Sequence, residues 1–411
     1  AITRAPALVP YVLALINRIN SIQFIDEGNN RLSFVRGVEE PLEDGNYYIH
    51  KCITIHTANT NEDETPRSNK IFILDSKECI DNENIPKISV ILPLREDSDS
   101  GKVTVFQFDH NVPNHFIFLP LIGTECWGVN YIFHSPLFQC NDELRDSVQF
   151  VSTGQYGDEE CDRNKEIISI AGNMIDEFWK THLLKYNNVK YVAKVRFGIN
   201  DSNEKIATYN KELQKEWAER YKDYPIATAQ DGKLTTPKSL KLLSYEFLDE
   251  VKKNQTLRDA VHYFIAKQYG SSCVPIREDL IYWSEIVAEW ELDALNECFI
   301  TVEDISKFIE SSNFSLSSDN IGYLLEFDKF VMSNQIRLFD TYQLIPTEDC
   351  ILQKKKDLLR PAVFNATLQS IMKVLIPEIA RRFVHSNFTE FLDDASYYTD
   401  NDANVIERFC V

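Results

Sequence analysis

Arg145 stands in an acidic stretch, Asp142-Glu143-Leu144-Arg145-Asp146, a few residues beyond an apolar run that ends at Phe133. A guanidinium so placed has two uses. It pairs with the carboxylates beside it, or it is presented at a domain edge to stabilise charge developing on a group in transfer. Asp142-Glu143 and Asp393-Asp394 are paired carboxylates in polar segments, suited to turns and helix caps rather than acid–base work. His50 and His56 share a strand at even spacing and so face one side, while His110 and His115 flank a loop. None of the eight histidines falls in an HExxH or similar ligand spacing. The nine cysteines include no CxxC pair, which excludes a zinc ribbon or dithiol redox motif. No GxxxxGK[ST] or helix-opening GxGxxG cradles a phosphate, and no serine sits in a nucleophile elbow.

Those residues need elements to hold them. At 411 residues the chain exceeds what one core normally organises, so two or three domains are expected. The 44% apolar and 26% charged content, with 25 Phe and 18 Tyr, supplies ample core material. A net charge of −20 argues against a nucleic-acid surface, and Lys354-Lys355-Lys356, the densest basic run, reads as a solvated turn. The odd cysteine count, with Cys52, Cys79, Cys126 and Cys140 among strand-like residues, reads as reduced, mostly buried thiols in a cytoplasmic protein. No apolar run reaches the ~20 residues of a membrane helix. The opening Ala1-Ile2-Thr3-Arg4 leads straight into a periodic segment, which suggests that something lies upstream.

The α+β fold class follows from where the period changes. Residues 7–19 are spaced as an amphipathic helix, and 21–26 with 31–36 as a hairpin about Glu27-Gly28-Asn29-Asn30. Segments 47–57, 70–75, 88–94, 102–108, 116–122 and 129–134 read as strands of one mostly antiparallel sheet. From about 163 the period becomes helical, with Ile167, Ala171, Met174, Ile175, Phe178 and His182 on one face. The expectation is a two-layer α+β domain over 36–200. A charged, exposed connector helix follows at 203–222, with Leu213 and Trp217 on its apolar side. Helices over 244–252, 256–269, 279–290, 302–311, 319–332 and 363–385 then make a mainly helical region, 241–395, before a tail at 396–411. Ser239, Thr256, Thr301 and Ser318 read as helix N-caps or their neighbours.

Two stretches echo each other. Thr228-Ala-Gln-Asp-Gly-Lys-Leu234 aligns without gaps with Pro346-Thr-Glu-Asp-Cys-Ile-Leu352, and each leads at the same offset into Lys-x-Leu, Lys238 to Leu240 and Lys356 to Leu358. The pattern predicts a short strand, a tight turn, a second strand and a helix, twice.

The stretch 88–145 carries a resemblance. Ile88-Ser-Val-Ile-Leu-Pro-Leu94, Val105-Phe-Gln-Phe108, Phe116-Ile-Phe-Leu-Pro-Leu121, Trp127-Gly128-Val129, Phe133 and Glu143-Leu-Arg145-Asp146 resemble the segment after the nucleotide pocket in sacsin-like and No-Vein-like members of the GHKL ATPase superfamily. Residues 7–26 look like the last helix and strand of a GHKL ATP-binding domain, and the two echoing units resemble the sacsin-type repeat. The resemblance implies a remnant of the ATP-binding domain at 1–35, a transducer-like middle domain at 36–200, a connector and first hairpin at 201–240, and the helical repeat domain beyond. The family's Asn-bearing magnesium helix and Asp-x-Gly-x-Gly adenine segment are absent here. Mg-ATP is therefore expected upstream, with no cofactor in this chain. Arg145 is the position matching the middle-domain cation that reaches the γ-phosphate in heat-shock chaperones of this superfamily. The partners implied are the upstream domain, a protein docking on the helical half and, as an option, a second copy of the chain. The reading from a different class is a non-enzymatic interaction scaffold.

Overall fold

The computed structural model describes residues 5–27, 31–59, 67–80, 85–97, 100–125, 127–140, 147–152, 157–198, 202–358, 370–371, 373–374, 377 and 381–392. Two compact units divide the chain, Ala1–Ala227 with Ile286–Leu292, and Thr228–Glu285 with Asp293–Val411. Among the described residues no helix is long and apolar enough to cross a membrane.

The first unit opens with α1 (Ala5–Leu15), β1 (Ser21–Ile25), β2 (Arg31–Pro41), β3 (Tyr48–Asn59) and β4 (Arg67–Ser76). The two-residue strands β5 (Cys79–Ile80) and β6 (Ile85–Pro86) pair together, β7 (Ser89–Ile91) rejoins the sheet, and β8 (Leu94–Glu96) pairs with β9 (Val103–Val105). Then come β10 (His115–Ile117), β11 (Leu119–Pro120), β12 (Gly128–Val129), β13 (Ile132–His134), α2 (Asp158–His182), β14 (Val195–Arg196) and α3 (Glu204–Tyr221). The main sheet runs β1-β2-β3-β4-β7-β13-β10-β11. Its neighbours are antiparallel except β10 and β13, which are parallel. The fold is thus mixed α+β with an antiparallel-rich sheet. Strand β2 pairs with β1 on one side and β3 on the other, so the division expected near residue 35 falls inside a strand of one continuous sheet.

Both faces of this sheet are covered, which adds a layer to the two expected. On one face Leu8, Val9, Val12 and Leu13 of α1 join Phe34, Ile53, Ile55, Ile73 and Ile91 in a core. Because side chains alternate along a strand, the opposite face carries Tyr48 and His50, whose rings lie 5.9 and 5.0 Å from that of Phe178 in α2. Burying each such aliphatic or aromatic side chain contributes about 1.5–3 kcal/mol. Helix α2 starts with Asp158, Glu159 and Glu160, acids that suit the positive end of the helix dipole. Helix α3 is not the exposed connector that its charge suggests. Leu213, Trp217, Ala218 and Tyr221 are buried in this unit, and only the opposite face is solvated.

In the second unit the helices are α4 (Tyr245–Lys253), α5 (Gln255–Tyr269), α6 (Leu280–Glu289, of which the residues up to Glu285 belong to this unit), α7 (Val302–Glu310), α8 (Ile321–Asn334) and the single turn α9 (Leu338–Thr341). Their apolar faces meet in a core containing Phe247, Phe264, Ile305, Phe327, Phe330 and Val331. Thr301 and Asp304 form a capping box on α7. Helix α5 is capped by Asn254, two residues before the expected Thr256, because its Oδ1 accepts from Leu257 N at 3.1 Å. Ser239 lies in a 3₁₀ turn, and α4 starts after Ser244. Asn320, not Ser318, precedes α8. The helix expected over 363–385 lies mostly outside the described residues.

The sequence echo has a structural counterpart within this unit. Strands β15 (Ala227–Thr228) and β16 (Leu234–Thr235) lead into a 3₁₀ turn at Pro237–Ser239. Strands β19 (Ile345–Pro346) and β20 (Leu352–Gln353) lead into one at Lys355–Asp357. The remaining strands, β17 (Leu242–Leu243) and β18 (Phe299–Ile300), form a separate parallel pair. Ala229 N donates to Lys233 O and Thr347 N to Ile351 O, both at 2.8 Å. Gly232 N donates to Ala229 O and Cys350 N to Thr347 O, both at 2.9 Å. A downstream segment clasps each hairpin: Gln230 N donates to Val274 O and Glu348 N to Phe383 O, both at 2.8 Å. Gly232 and Cys350 occupy the same turn position with φ of +81° and +59°. Leu240 and Leu358, the last residues of the two Lys-x-Leu matches, are both buried.

Candidate functional site

Arg145, with Asp142, Glu143 and Asp146, lies outside the described residues. What the structure describes is the anchor on either side of them. Cys140 and Val148 form an antiparallel bridge, and Gln149 N donates to Gln139 O at 3.2 Å. Asn164 of α2 completes the clasp. Its Oδ1 accepts from Gln139 N at 2.9 Å, and its Nδ2 donates to Gln139 O and Gln149 O at 2.9 and 2.7 Å. A fully buried amide with three satisfied bonds is a rigid fastening, because releasing any partner strands a polar group in the core. Asn164 shares the buried face of α2 with Ile167, Ile168, Ala171 and Ile175.

Three aromatic polar groups tie that helix to the sheet side. Trp179 Nε1 donates to the Tyr131 hydroxyl at 2.8 Å, and the Tyr131 and Tyr221 hydroxyls lie 3.2 Å apart. Burial pushes both phenols far above their ordinary range, so they act as neutral hydrogen-bonding groups. Nearby, Asn130 Nδ2 donates to Phe106 O and Tyr191 O, and Asn114 Nδ2 donates to Val129 O and Tyr131 O. Gly128 holds φ at +49°, and a Cβ there would stand 2.6 Å from the Phe197 ring, so the turn before Tyr131 requires glycine.

The histidines divide between core and surface. His50 is buried against Tyr48, Phe72, Phe178 and His182, and burial together with His182 pulls its pKa down to about 4. His56, on the same strand, is exposed and bonded to Ser68. His110 is exposed, whereas His115 is enclosed. Among the described residues no group of three or more His, Cys, Asp or Glu could hold a metal ion. Cys52 is buried, but Cys79 is exposed, so the thiols are less uniformly interior than their apolar neighbours suggest. Lys355 and Lys356 belong to the 3₁₀ turn of the second repeat, and Lys354 precedes it.

A cleft of about 580 Å³ in the first unit lies between α1 and strands β4 and β8. Tyr11, Lys70, Arg95, Glu96 and Phe106 line it. Lys70 pairs with Glu96 at 3.0 Å, and the Arg95 guanidinium lies 4.4 Å from the Phe106 ring centroid. Basic and acidic groups alternate around it, so it favours neither an anion nor a cation. Neither a known protein family, nor a characterised protein, nor a solved structure matches the chain.

Proposed function

We propose that this chain is the region of a sacsin-like GHKL ATPase that follows the ATP-binding pocket. In this reading it relays ATP-driven closure to its helical second unit, where a partner protein docks; bacterial anti-phage defence is one setting for such a protein. The observation that carries the reading is the duplicated hairpin and 3₁₀ unit, in which Ala229, Gln230 and Gly232 make the same backbone bonds as Thr347, Glu348 and Cys350. An antiparallel sheet followed by a twice-used unit of this kind is the order that the sequence resemblance calls for.

Mg-ATP belongs to the upstream domain. Arg145 is the residue assigned to the γ-phosphate, where a planar cation would stabilise charge developing on the transferred group. Isothermal titration of the chain with Mg-ATP tests the first half of the reading. The expected result is no binding heat, and micromolar affinity would place the pocket elsewhere. The reading frame ahead of Ala1 tests the second half. An Asn-bearing helix and an Asp-x-Gly-x-Gly segment there support the ATPase, and their absence leaves the scaffold reading.

A further inference from the structure

Strand β1 ends the eight-stranded sheet on one side and β11 ends it on the other. Arg36 N donates to Asn20 O at 2.8 Å, and the register then pairs Ile22 with Phe34 and Phe24 with Leu32. Backbone groups alternate in direction along an antiparallel strand, so Asn20, Ile22 and Phe24 bond β2. The N–H and C=O groups of Ser21, Gln23 and Ile25 point the other way, out of the sheet. Those three residues are exposed, and among the described residues no strand pairs with their side of β1. We propose that this edge pairs with the same edge of a second copy of the chain, antiparallel and centred on Gln23, to make a homodimer with one continuous sheet.

Ser21-Ile-Gln-Phe-Ile25 holds neither a charged residue nor a proline. Edges that stay unpaired usually carry such residues or are very short. The opposite edge is guarded in that way, because β11 has two residues and the second is Pro120, which cannot donate to a ladder. The chemistry of β1 matches a second copy of itself. Centred on Gln23, the pairing joins Ser21 to Ile25 of the partner subunit and Gln23 to its own equivalent, so every outward backbone group is used. It sets Ile22 against Phe24 of the partner subunit on the α1 face, where both residues already pack against the core of Leu8, Val12 and Phe34. Arg18 and Glu27 are exposed at opposite ends of the strand. An antiparallel pair therefore brings Arg18 of each copy toward Glu27 of the other, whereas a parallel pair would put like charges together. One short strand buries little area, so the dimer should be a transient one of micromolar affinity. Nothing in this inference depends on the ATPase reading.

The test is sedimentation velocity of the intact chain across the micromolar concentration range, where a monomer–dimer equilibrium is expected. Gln23→Pro removes the central outward N–H while leaving the bonds to β2 in place, and should weaken dimerisation by roughly tenfold or more. Gln23→Lys and Gln23→Glu change only an exposed side chain that meets its own equivalent across the two-fold axis. Each alone should dimerise more weakly than the parent chain, because like charges then face each other, and an equimolar mixture should associate more tightly than either. This charge pair decides the matter independently of how the proline variant folds, which circular dichroism checks. A chain that stays monomeric throughout would leave the edge to a strand of some other protein and overturn the proposal. A folded Gln23→Pro that dimerises with unchanged affinity, or a Lys–Glu mixture that associates no better than its components, would overturn it as well.

Discussion

The indole nitrogen of Trp179 donates to the hydroxyl of Tyr131, joining the last turn of α2 to the residue that enters β13. Both side chains are fully buried, so the bond has no water to replace it. Tyr131→Phe strands the Trp179 N–H and removes the partner of Tyr221, and should cost about 1–3 kcal/mol. Trp179→Phe in the same background should cost less than it does alone, since it then removes an orphaned donor and not a bonded one. Urea unfolding of the two single variants and the double variant measures the coupling. Additive losses would mean that the bond contributes nothing specific.

In the second unit, Asp328 is fully buried on α8 and neither carboxylate oxygen has a hydrogen-bond partner among the described residues. Burial raises its pKa well above 3.8, so the folded protein keeps it protonated. The unfolded chain releases that proton above about pH 4. Between that value and the raised folded pKa the native state binds more protons than the unfolded one, so this group makes stability fall as pH rises. Asp328→Leu should raise stability at pH 7 by about 1–3 kcal/mol and flatten that slope. Denaturant unfolding from pH 4 to pH 8 checks both. An unchanged slope in the variant would remove Asp328 as its source.

The first unit should respond to acid in the opposite sense. Burial lowers the pKa of His50 to about 4 and that of His134 to about 4. Below the ordinary value of 6.5 the unfolded chain takes up protons that the native state refuses, so stability falls as pH drops from 6.5 towards 4. Each histidine contributes at most about 1.4 kcal/mol per pH unit in that window. His50→Phe should shift the acid midpoint of near-ultraviolet circular dichroism downward, and an unmoved midpoint would exclude His50 as a determinant.

At the two equivalent turns, the same positive φ is filled by Gly232 and by Cys350. A side chain in that region costs about 1–2 kcal/mol. Gly232→Ala should therefore destabilise the second unit, whereas Cys350→Gly should be neutral or stabilising, because relief of strain opposes the entropy that glycine adds to the unfolded chain. Thermal unfolding of both variants tests the equivalence. Equal responses would show that the turns are not alike.

Much of this architecture was legible in the sequence, because long periodic segments carry their own boundaries. The predicted helices 203–222 and 302–311 appear as Glu204–Tyr221 and Val302–Glu310. The departures have physical causes. The apolar run 88–94 reads as one strand, but Pro93 cannot donate to a ladder, and the chain splits into Ser89–Ile91 and Leu94–Glu96. The run 116–122 folds back on itself as a hairpin in which Ile117 faces Leu119, with Phe118 at the apex in a left-handed conformation, φ +61°. A bulky residue there carries no local turn signal. The burial of α3 was hidden because its charged residues outnumber Leu213, Trp217 and Tyr221, and only tertiary packing shows which stripe is covered. Of the site, the Asn164 clasp and the Tyr131–Trp179–Tyr221 chain join segments far apart in sequence, and no local pattern records such pairings.

The central claim is that Arg145 acts on ATP held by an upstream domain, and it meets its most direct test in turnover by the protein that includes that domain. Arg145→Ala should lower ATP turnover by about 10–1,000-fold while leaving ATP affinity nearly intact, as expected for a charge felt mainly in the transition state. Arg145→Lys should recover little, since a point charge does not reproduce a planar fork. Wild-type turnover in Arg145→Ala would contradict the account and return Arg145 to pairing with the acids beside it.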